Sequence, residues 1–215
     1  MAQFDPKEKV DAVIIGSGAG GGTLARELAT RGMSVVLLEA GPRYDAWKDI
    51  ENDELAMIGK WIWLDPRTGS GRDQTNPPTY ICKTVGGTTT HYAAAHIRFL
   101  AHEFKTRSVY GPIKGTTLMD WPLDLEEMLP YYGRAEYFTG TSGPWPRPMP
   151  PVPWNTNSLI MKMGAEKMGW KVHQGQMAIN SIPFDGRPMC IQAGFCMQGC
   201  RTRAHWSTLY ADIPK

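Results

Sequence analysis

Apolar residues come along this chain in short, separated bursts, and their spacing changes from burst to burst. The first burst, residues 10–15, is a β-branched run without helical spacing and predicts a strand buried in a parallel sheet. After the glycine-rich stretch GSGAGG, residues 23–31 take up helical spacing, with Leu24 and Leu28 on one face and Gly32 as a stop. A second apolar run, VVLL at 35–38, predicts another buried strand, closed by Glu39. The pattern is weaker beyond this strand–helix–strand opening. A short helix is predicted over 50–63, then a polar Gly/Pro/Asp-rich loop over 65–79, DPRTGSGRDQTNPPT. A helix is predicted over 124–138, with Asp124, Glu126 and Glu127 in its first turn. Residues 141–154, TSGPWPRPMPPVPW, read as extended, because each proline lacks a donor and disfavours helix in the residue before it. Asn155 or Asn157 then caps a helix to about residue 168, and 170–172 read as a short strand. No internal repeat is visible.

The turn between the first strand and helix carries the most specific signal. Gly16, Gly18 and Gly21, with Ala19 among them, form G-x-G-x-x-G. The first glycine permits the tight turn, the second lets the backbone approach a pyrophosphate, and the third lets helix and strand pack closely. The helix N-terminus adds free N–H groups and the positive end of its dipole. Glu39 ends the second strand, where a carboxylate accepts hydrogen bonds from an adenosine ribose. An acid at this position argues against a 2′-phosphate and does not by itself separate NAD from FAD. The expected fold class is α/β, with a Rossmann-like dinucleotide-binding βαβ unit.

Composition narrows the function classes. A chain of 215 residues can bury a substantial core. With 23 Lys+Arg against 21 Asp+Glu and no basic cluster, nothing points to nucleic acid. No stretch approaches the roughly 18 apolar residues of a membrane helix. The first ten residues, MAQFDPKEKV, lack the apolar region of a secretory signal, so the sequence-level expectation is a cytoplasmic chain; a periplasmic location requires export with a partner subunit. Eight Trp, twelve Met and 17 Pro imply irregular, aromatic-rich segments packed against something rigid.

Two further stretches carry chemistry. Residues 82–99 read CKTVGGTTTHYAAAHIRF, and a Gly-Gly pair followed by hydroxyl residues can offer several donors to a phosphate or a flavin edge. On its own the stretch reads equally as a surface turn. Cys190, Cys196 and Cys200 follow C-x5-C-x3-C, which is not the paired spacing of a zinc site. Three thiolates on one loop suit an iron–sulfur cluster, with buried free thiols or a disulfide as the plain alternatives. Cys82 reads as a small buried residue.

VIIGSGAGGGTLARELA, VVLLEAGP and VGGTTTHYAAAHIRF, in this order and spacing, resemble the glucose–methanol–choline (GMC) oxidoreductases, FAD-dependent enzymes acting on alcohols and sugars. HEFKTRSVYG, DWPLDLEEMLPYYGRAE and DGRPMCIQAGFCMQGC extend the resemblance to the catalytic subunits of bacterial FAD glucose, sorbitol, fructose and gluconate dehydrogenases. The resemblance implies that Gly16, Gly18, Ala19, Gly21 and Glu39 hold the ADP half of FAD, and that Gly86, Gly87, Thr88 and Thr89 lie near the pyrophosphate and flavin. His91 falls where pyranose oxidases, with Thr-His-Trp, attach FAD covalently; the preferred reading is a hydrogen-bonding residue against the flavin ring. The resemblance further implies a 3Fe–4S cluster on Cys190, Cys196 and Cys200, with Ala193 where similar sequences carry a fourth cysteine.

The implied function is oxidation of the CH–OH group of an alcohol or sugar by hydride transfer to flavin. Electrons would leave through the cluster to a cytochrome c or quinone acceptor, with a small subunit as a further partner. The implied organisation is a FAD-binding part over 8–105 and the start of a substrate and cluster-bearing region over 106–215, incomplete at its C-terminus. The family's catalytic His pair lies in a later part of longer chains, and His96, His102, His173 and His205 match no such motif. No catalytic residue is therefore assigned. The competing expectation is a catalytically inactive flavin- or nucleotide-binding fragment or split subunit.

Overall fold

The computed structural model describes Asp5 and residues 7–63, 81–144 and 148–215, without the side chains of 61–63. The expected polar loop at 65–79 and the centre of the proline-rich stretch lie outside the described residues, as do the first four residues of the chain.

The opening unit forms as the sequence predicts. Strands β1 (Ala12–Ile15) and β2 (Val35–Leu38) pair in parallel, with Ala12 opposite Val35 and Ile15 opposite Leu38. Helix α1 (Ala19–Ala29) connects them. It begins four residues before the apolar spacing announces it, because Gly20, Gly21 and Gly22 are already helical. Burial departs from expectation. Ile14 is the buried residue of β1, whereas Val13 is 58% and Ile15 85% exposed. Side chains alternate along the strand: Ile14 faces α1, its Cγ2 3.2 Å from where a Gly21 Cβ would lie, and Val13 and Ile15 point to the other face. In α1, Leu24 is exposed while Gly22 and Arg26 are buried, so the inward face is chosen by close backbone packing and an ion pair, not by leucine.

The helix expected over 50–63 is shorter, α3 (Glu54–Trp61), and a further one-turn helix, α2 (Ala46–Asp49), precedes it and ends where Ile50 turns extended. Asp45 caps α2, its Oδ1 accepting from the N–H groups of Trp47 at 2.9 Å and Lys48 at 3.0 Å. Strands β3 (Ile62–Trp63) and β4 (Ile81–Cys82) form a short antiparallel pair. Ala46, Ile50, Met57 and Cys82 make a small core with Tyr44 and Tyr210 against it. Cys82 is the buried residue expected, and burial pushes its thiol up to about 11.

The chain divides into two compact units: Met1–Ala94 with Pro183–Lys215, and Ala95–Ile182. This differs from a single cut after residue 105, because the last segment rejoins the first. It ends in α7 (Thr208–Ala211), capped by Ser207, whose hydroxyl accepts from the Leu209 N–H at 3.2 Å.

The second unit holds α4 (Thr106–Tyr110), α5 (Leu125–Thr139) and α6 (Thr156–Lys167). Asp124 and Glu127 form a reciprocal capping box at the start of α5, and Asn155 rather than Asn157 caps α6. Buried Glu136 receives a bidentate bond from Arg98, both contacts 2.7 Å. The strand expected over 170–172 is absent. The Trp170 N–H instead closes the end of α6 on the Ala165 carbonyl at 3.0 Å, next to Gly169 at φ +79°. Bridging falls to Met177, opposite Ala95 and Ser142. Among the described residues no helix is long and apolar enough to cross a membrane.

Candidate functional site

The first glycine turn has the geometry the motif requires. Gly16 has φ +88°, and a Cβ at Gly21 would collide with the Gly16 carbonyl oxygen, so the third glycine is fixed by close approach of helix to turn. Gly18 is the N-cap of α1 and makes no side-chain cap bond, while Ala19, the first helical residue, is exposed. The first-turn N–H groups therefore face outward at the positive end of an eleven-residue helix. Glu39 stands half-buried beside this turn. Its Oε2 accepts from the Ser17 N–H at 3.0 Å and the Ser17 hydroxyl at 2.6 Å, and its Oε1 from the Gly41 N–H at 2.8 Å. Burial alone would raise the Glu39 pKa; the bonds from Ser17, Gly41 and Ala40 outweigh it and hold the carboxyl below its ordinary value.

The second glycine turn lies against the first. Gly86 and Gly87 have φ +96° and +53°, and a Cβ on Gly87 would come within 2.9 Å of the Gly18 Cα. A 3₁₀ turn over Gly87–Thr90 follows. The Gly86 N–H donates to the Ser17 hydroxyl at 2.9 Å, and the buried Thr89 hydroxyl donates to the Gly86 carbonyl at 2.5 Å. Thr88 is exposed, with its carbonyl accepting from the His91 N–H at 3.3 Å. The structure thus gathers Gly16, Gly18, Gly21, Glu39, Gly86, Gly87 and Thr89 in one place.

His91 is buried, and its Nε2 has no hydrogen-bond partner among the described residues. Burial lowers its pKa, with the backbone of Met197 acting the other way, so the ring is neutral at pH 7. Tyr92 packs on His205, ring centroids 4.7 Å apart, and the His205 N–H reaches the Cys200 sulfur at 3.5 Å. His205 is thus a buried structural residue, while His102 and His173 are exposed.

The cysteine loop is only partly what its spacing predicts. Burial and then the neighbouring Cys200 and Cys190 push the Cys196 thiol up to about 11, and burial raises Cys190 against an opposing Gln192 N–H bond of 3.3 Å. Gln192, Gly194 and Gly199 all have positive φ, as a tightly folded loop requires. The three sulfurs sense one another, and two accept N–H bonds. Yet among the described residues no group of three or more His, Cys, Asp or Glu side chains converges to hold a metal ion. In the metal-free chain, burial disfavours the thiolate form of Cys190 and Cys196.

Comparison with known proteins now adds to this geometry. Residues 14–44 match the NAD(P)-binding Rossmann-like domain. The fructose dehydrogenase large subunit of Gluconobacter japonicus is 33% identical over 94% of this chain and 42% of its own length. A GMC-type oxidoreductase of Sinorhizobium fredii is 28% identical over 96% of this chain and 36% of its own. The chain belongs to the glucose–methanol–choline oxidoreductase family. The gluconate 2-dehydrogenase flavoprotein of Pantoea cypripedii is 31% identical over 63% of this GMC chain and 26% of its own length. The chain spans about two fifths or less of each of these relatives.

GMC oxidoreductases are FAD-dependent, and the Rossmann-like region is the part that holds a dinucleotide. The residues present fit that group. A Cβ on Gly87 would meet the Gly18 backbone, the first-turn N–H groups of α1 have no side-chain cap, and among the described residues His91 Nε2 is a buried nitrogen with no partner. Sequence reasoning missed Ser17 and the Ser207–Thr208 pair, which tie these parts together. A hydroxyl at the second position of G-x-G-x-x-G, and two adjacent hydroxyl residues before the apolar run LYA, were the available signals.

Proposed function

We propose that this chain cradles FAD in an oxidoreductase that oxidises the CH–OH group of an alcohol or sugar. One observation carries the reading: two glycine turns, 69 residues apart at Ser17 and Gly86, are hydrogen-bonded through one buried hydroxyl and lie beside a carboxylate. The relatives support it by name, being a fructose dehydrogenase and a gluconate dehydrogenase flavoprotein. Bound FAD supplies the acceptor for a hydride from the carbinol carbon. The N–H groups at the start of α1 take the pyrophosphate, Glu39 takes the ribose hydroxyls, and the Gly86–Gly87 turn holds the opposite side of the cradle. His91, neutral and shielded from water, offers Nε2 to the flavin edge as a hydrogen-bonding partner. Titrating the full chain with FAD, followed by quenching of flavin fluorescence, should give saturable binding in preference to NAD. Binding of NAD without FAD would overturn the proposal.

A second reading concerns electron exit. Three cysteine sulfurs within Cys190–Cys200 influence one another, and the Cys190 and Cys200 sulfurs accept backbone N–H bonds, the donor chemistry of an iron–sulfur loop. We propose that iron closes this loop and that the partner is a one-electron carrier such as a cytochrome. Iron and sulfide analysis after anaerobic assembly tests it. Full flavin without iron would leave a flavin enzyme that passes electrons to a soluble acceptor.

A further inference from the structure

We infer that Ser17 and Thr208 are positioning residues for the dinucleotide, fixing the Glu39 carboxylate and the second glycine turn in one arrangement. The inference rests on the flavin reading above and adds to it two residues that neither the motif nor the matched relatives assign.

Ser17 is fully buried, and its hydroxyl has one proton to give. That proton goes to Glu39 Oε2 at 2.6 Å, while the oxygen accepts from the Gly86 N–H at 2.9 Å. The Ser17 N–H reaches the same carboxylate oxygen at 3.0 Å, and the Gly41 N–H holds the other at 2.8 Å. Glu39 is therefore clamped on its protein side, with its remaining lone pairs left for ribose hydroxyls.

Thr208 locks Ser17 in turn. It is fully buried, and its hydroxyl donates to the Ser17 carbonyl at 2.7 Å, with the Gly86 carbonyl 3.4 Å away. The Thr208 N–H donates to the Thr89 hydroxyl at 3.2 Å, which also lies 2.9 Å from the Ser207 hydroxyl. Three segments that are distant in sequence thus meet in a buried polar network whose members have partners. Such a network specifies one arrangement, because a broken member leaves the others desolvated and unpaired.

The test is a double-substitution cycle on the full chain, read by FAD fluorescence titration. Ser17→Ala should weaken FAD binding about tenfold, the scale of one buried hydrogen bond lost. In a Glu39→Ala background the same change should cost less than about twofold, because the serine then has no carboxylate to hold. A merely structural serine would cost the same in both backgrounds, which would overturn the proposal. Thr208→Val should weaken binding about tenfold and Thr208→Ser should restore it. If Ser17→Ala does not fold, the Thr208 pair decides the question, since equal affinity of Thr208→Val and Thr208→Ser overturns it. A wild-type chain that binds no FAD would defeat the flavin reading itself, an outcome distinct from wild-type binding with unaffected variants.

Discussion

Gly22→Ala sets two well-known magnitudes against each other. Gly22 lies in the fourth position of α1. Alanine in a helix interior is favoured over glycine by about 1 kcal/mol, so propensity alone makes the change stabilising. The structure opposes it. A Cβ on Gly22 would stand 2.6 Å from the Thr208 Cβ, 2.8 Å from its Cγ2 and 2.9 Å from the Ser17 carbonyl oxygen. Ordinary carbon contacts are about 3.5–4.0 Å, and inserting a methyl into a packed site costs about 1–3 kcal/mol. Relief by movement is blocked, because Thr208 is held by its bonds to Ser17 and Thr89. The cost should win, leaving a net loss of up to about 2 kcal/mol.

Gly20→Ala is the internal control: nothing lies within 4 Å of a Cβ there. It should leave the apoprotein unchanged or stabilise it by up to about 1 kcal/mol, while weakening FAD, because its methyl occupies the mouth of the helix N-terminus. Urea unfolding of the two apoproteins measures the difference as a shift in midpoint at constant slope. A Gly22→Ala protein as stable as Gly20→Ala would refute the packing of α1 on α7, and with it the hydroxyl-linked cradle built on that packing.

Glu39→Ala should weaken FAD at least tenfold, since charge-assisted hydrogen bonds are worth about 1.5–3 kcal/mol each, and Glu39→Gln should be milder; equal FAD affinity in all three proteins would remove the ribose assignment. The Glu39 pKa is lowered on folding, so its stabilisation is complete above the unfolded value of about 4.3 and is lost as pH falls through the lower folded value. Acid unfolding curves of wild type and Glu39→Gln should therefore converge at low pH. Arg26 and Asp212 form a buried ion pair at 2.6 Å, in which burial raises the Asp212 pKa and Arg26 pulls it down. Arg26→Met should cost about 3 kcal/mol in urea unfolding, with part recovered on adding Asp212→Asn; an unchanged midpoint would contradict the pair. Alkylation of Cys196 in the iron-free chain, followed by mass spectrometry, should be slow at pH 8 and rise toward about pH 11; fast labelling at neutral pH would contradict the burial that raises this thiol.

The strand–turn–helix–strand opening was legible because each part has its own signature. The limits of β2 coincide with the run VVLL, and the acids at 124–127 marked the start of α5, where Asp124 is the N-cap. Burial was not legible. A β-branched run implies a covered strand only if neighbours cover it, and with two paired strands described, Ile15 stays 85% exposed. The short strand at 170–172 failed because propensity cannot see that the Trp170 N–H is already used in closing α6. Cysteine spacing identified which thiols share a loop but carries no information on whether the sulfurs converge.

The hydroxyl residues were illegible for a more general reason. Serine and threonine are common, and their meaning in this chain comes from a partner 191 residues away. Local reading located the two glycine turns separately and could not say what holds them against each other. The structure answers with the segment that follows the cysteine loop. Cys200 is bonded to the His205 N–H, His205 packs on Tyr92, and two residues later Ser207 and Thr208 bond to the glycine turns. The dinucleotide cradle is therefore not a local property of residues 10–41. A βαβ peptide cut from this chain would keep its G-x-G-x-x-G motif and lose both the second turn and the threonine that secures Ser17. It should bind FAD far more weakly than the intact chain, and comparable binding would mean that the buried hydroxyl network contributes nothing to recognition.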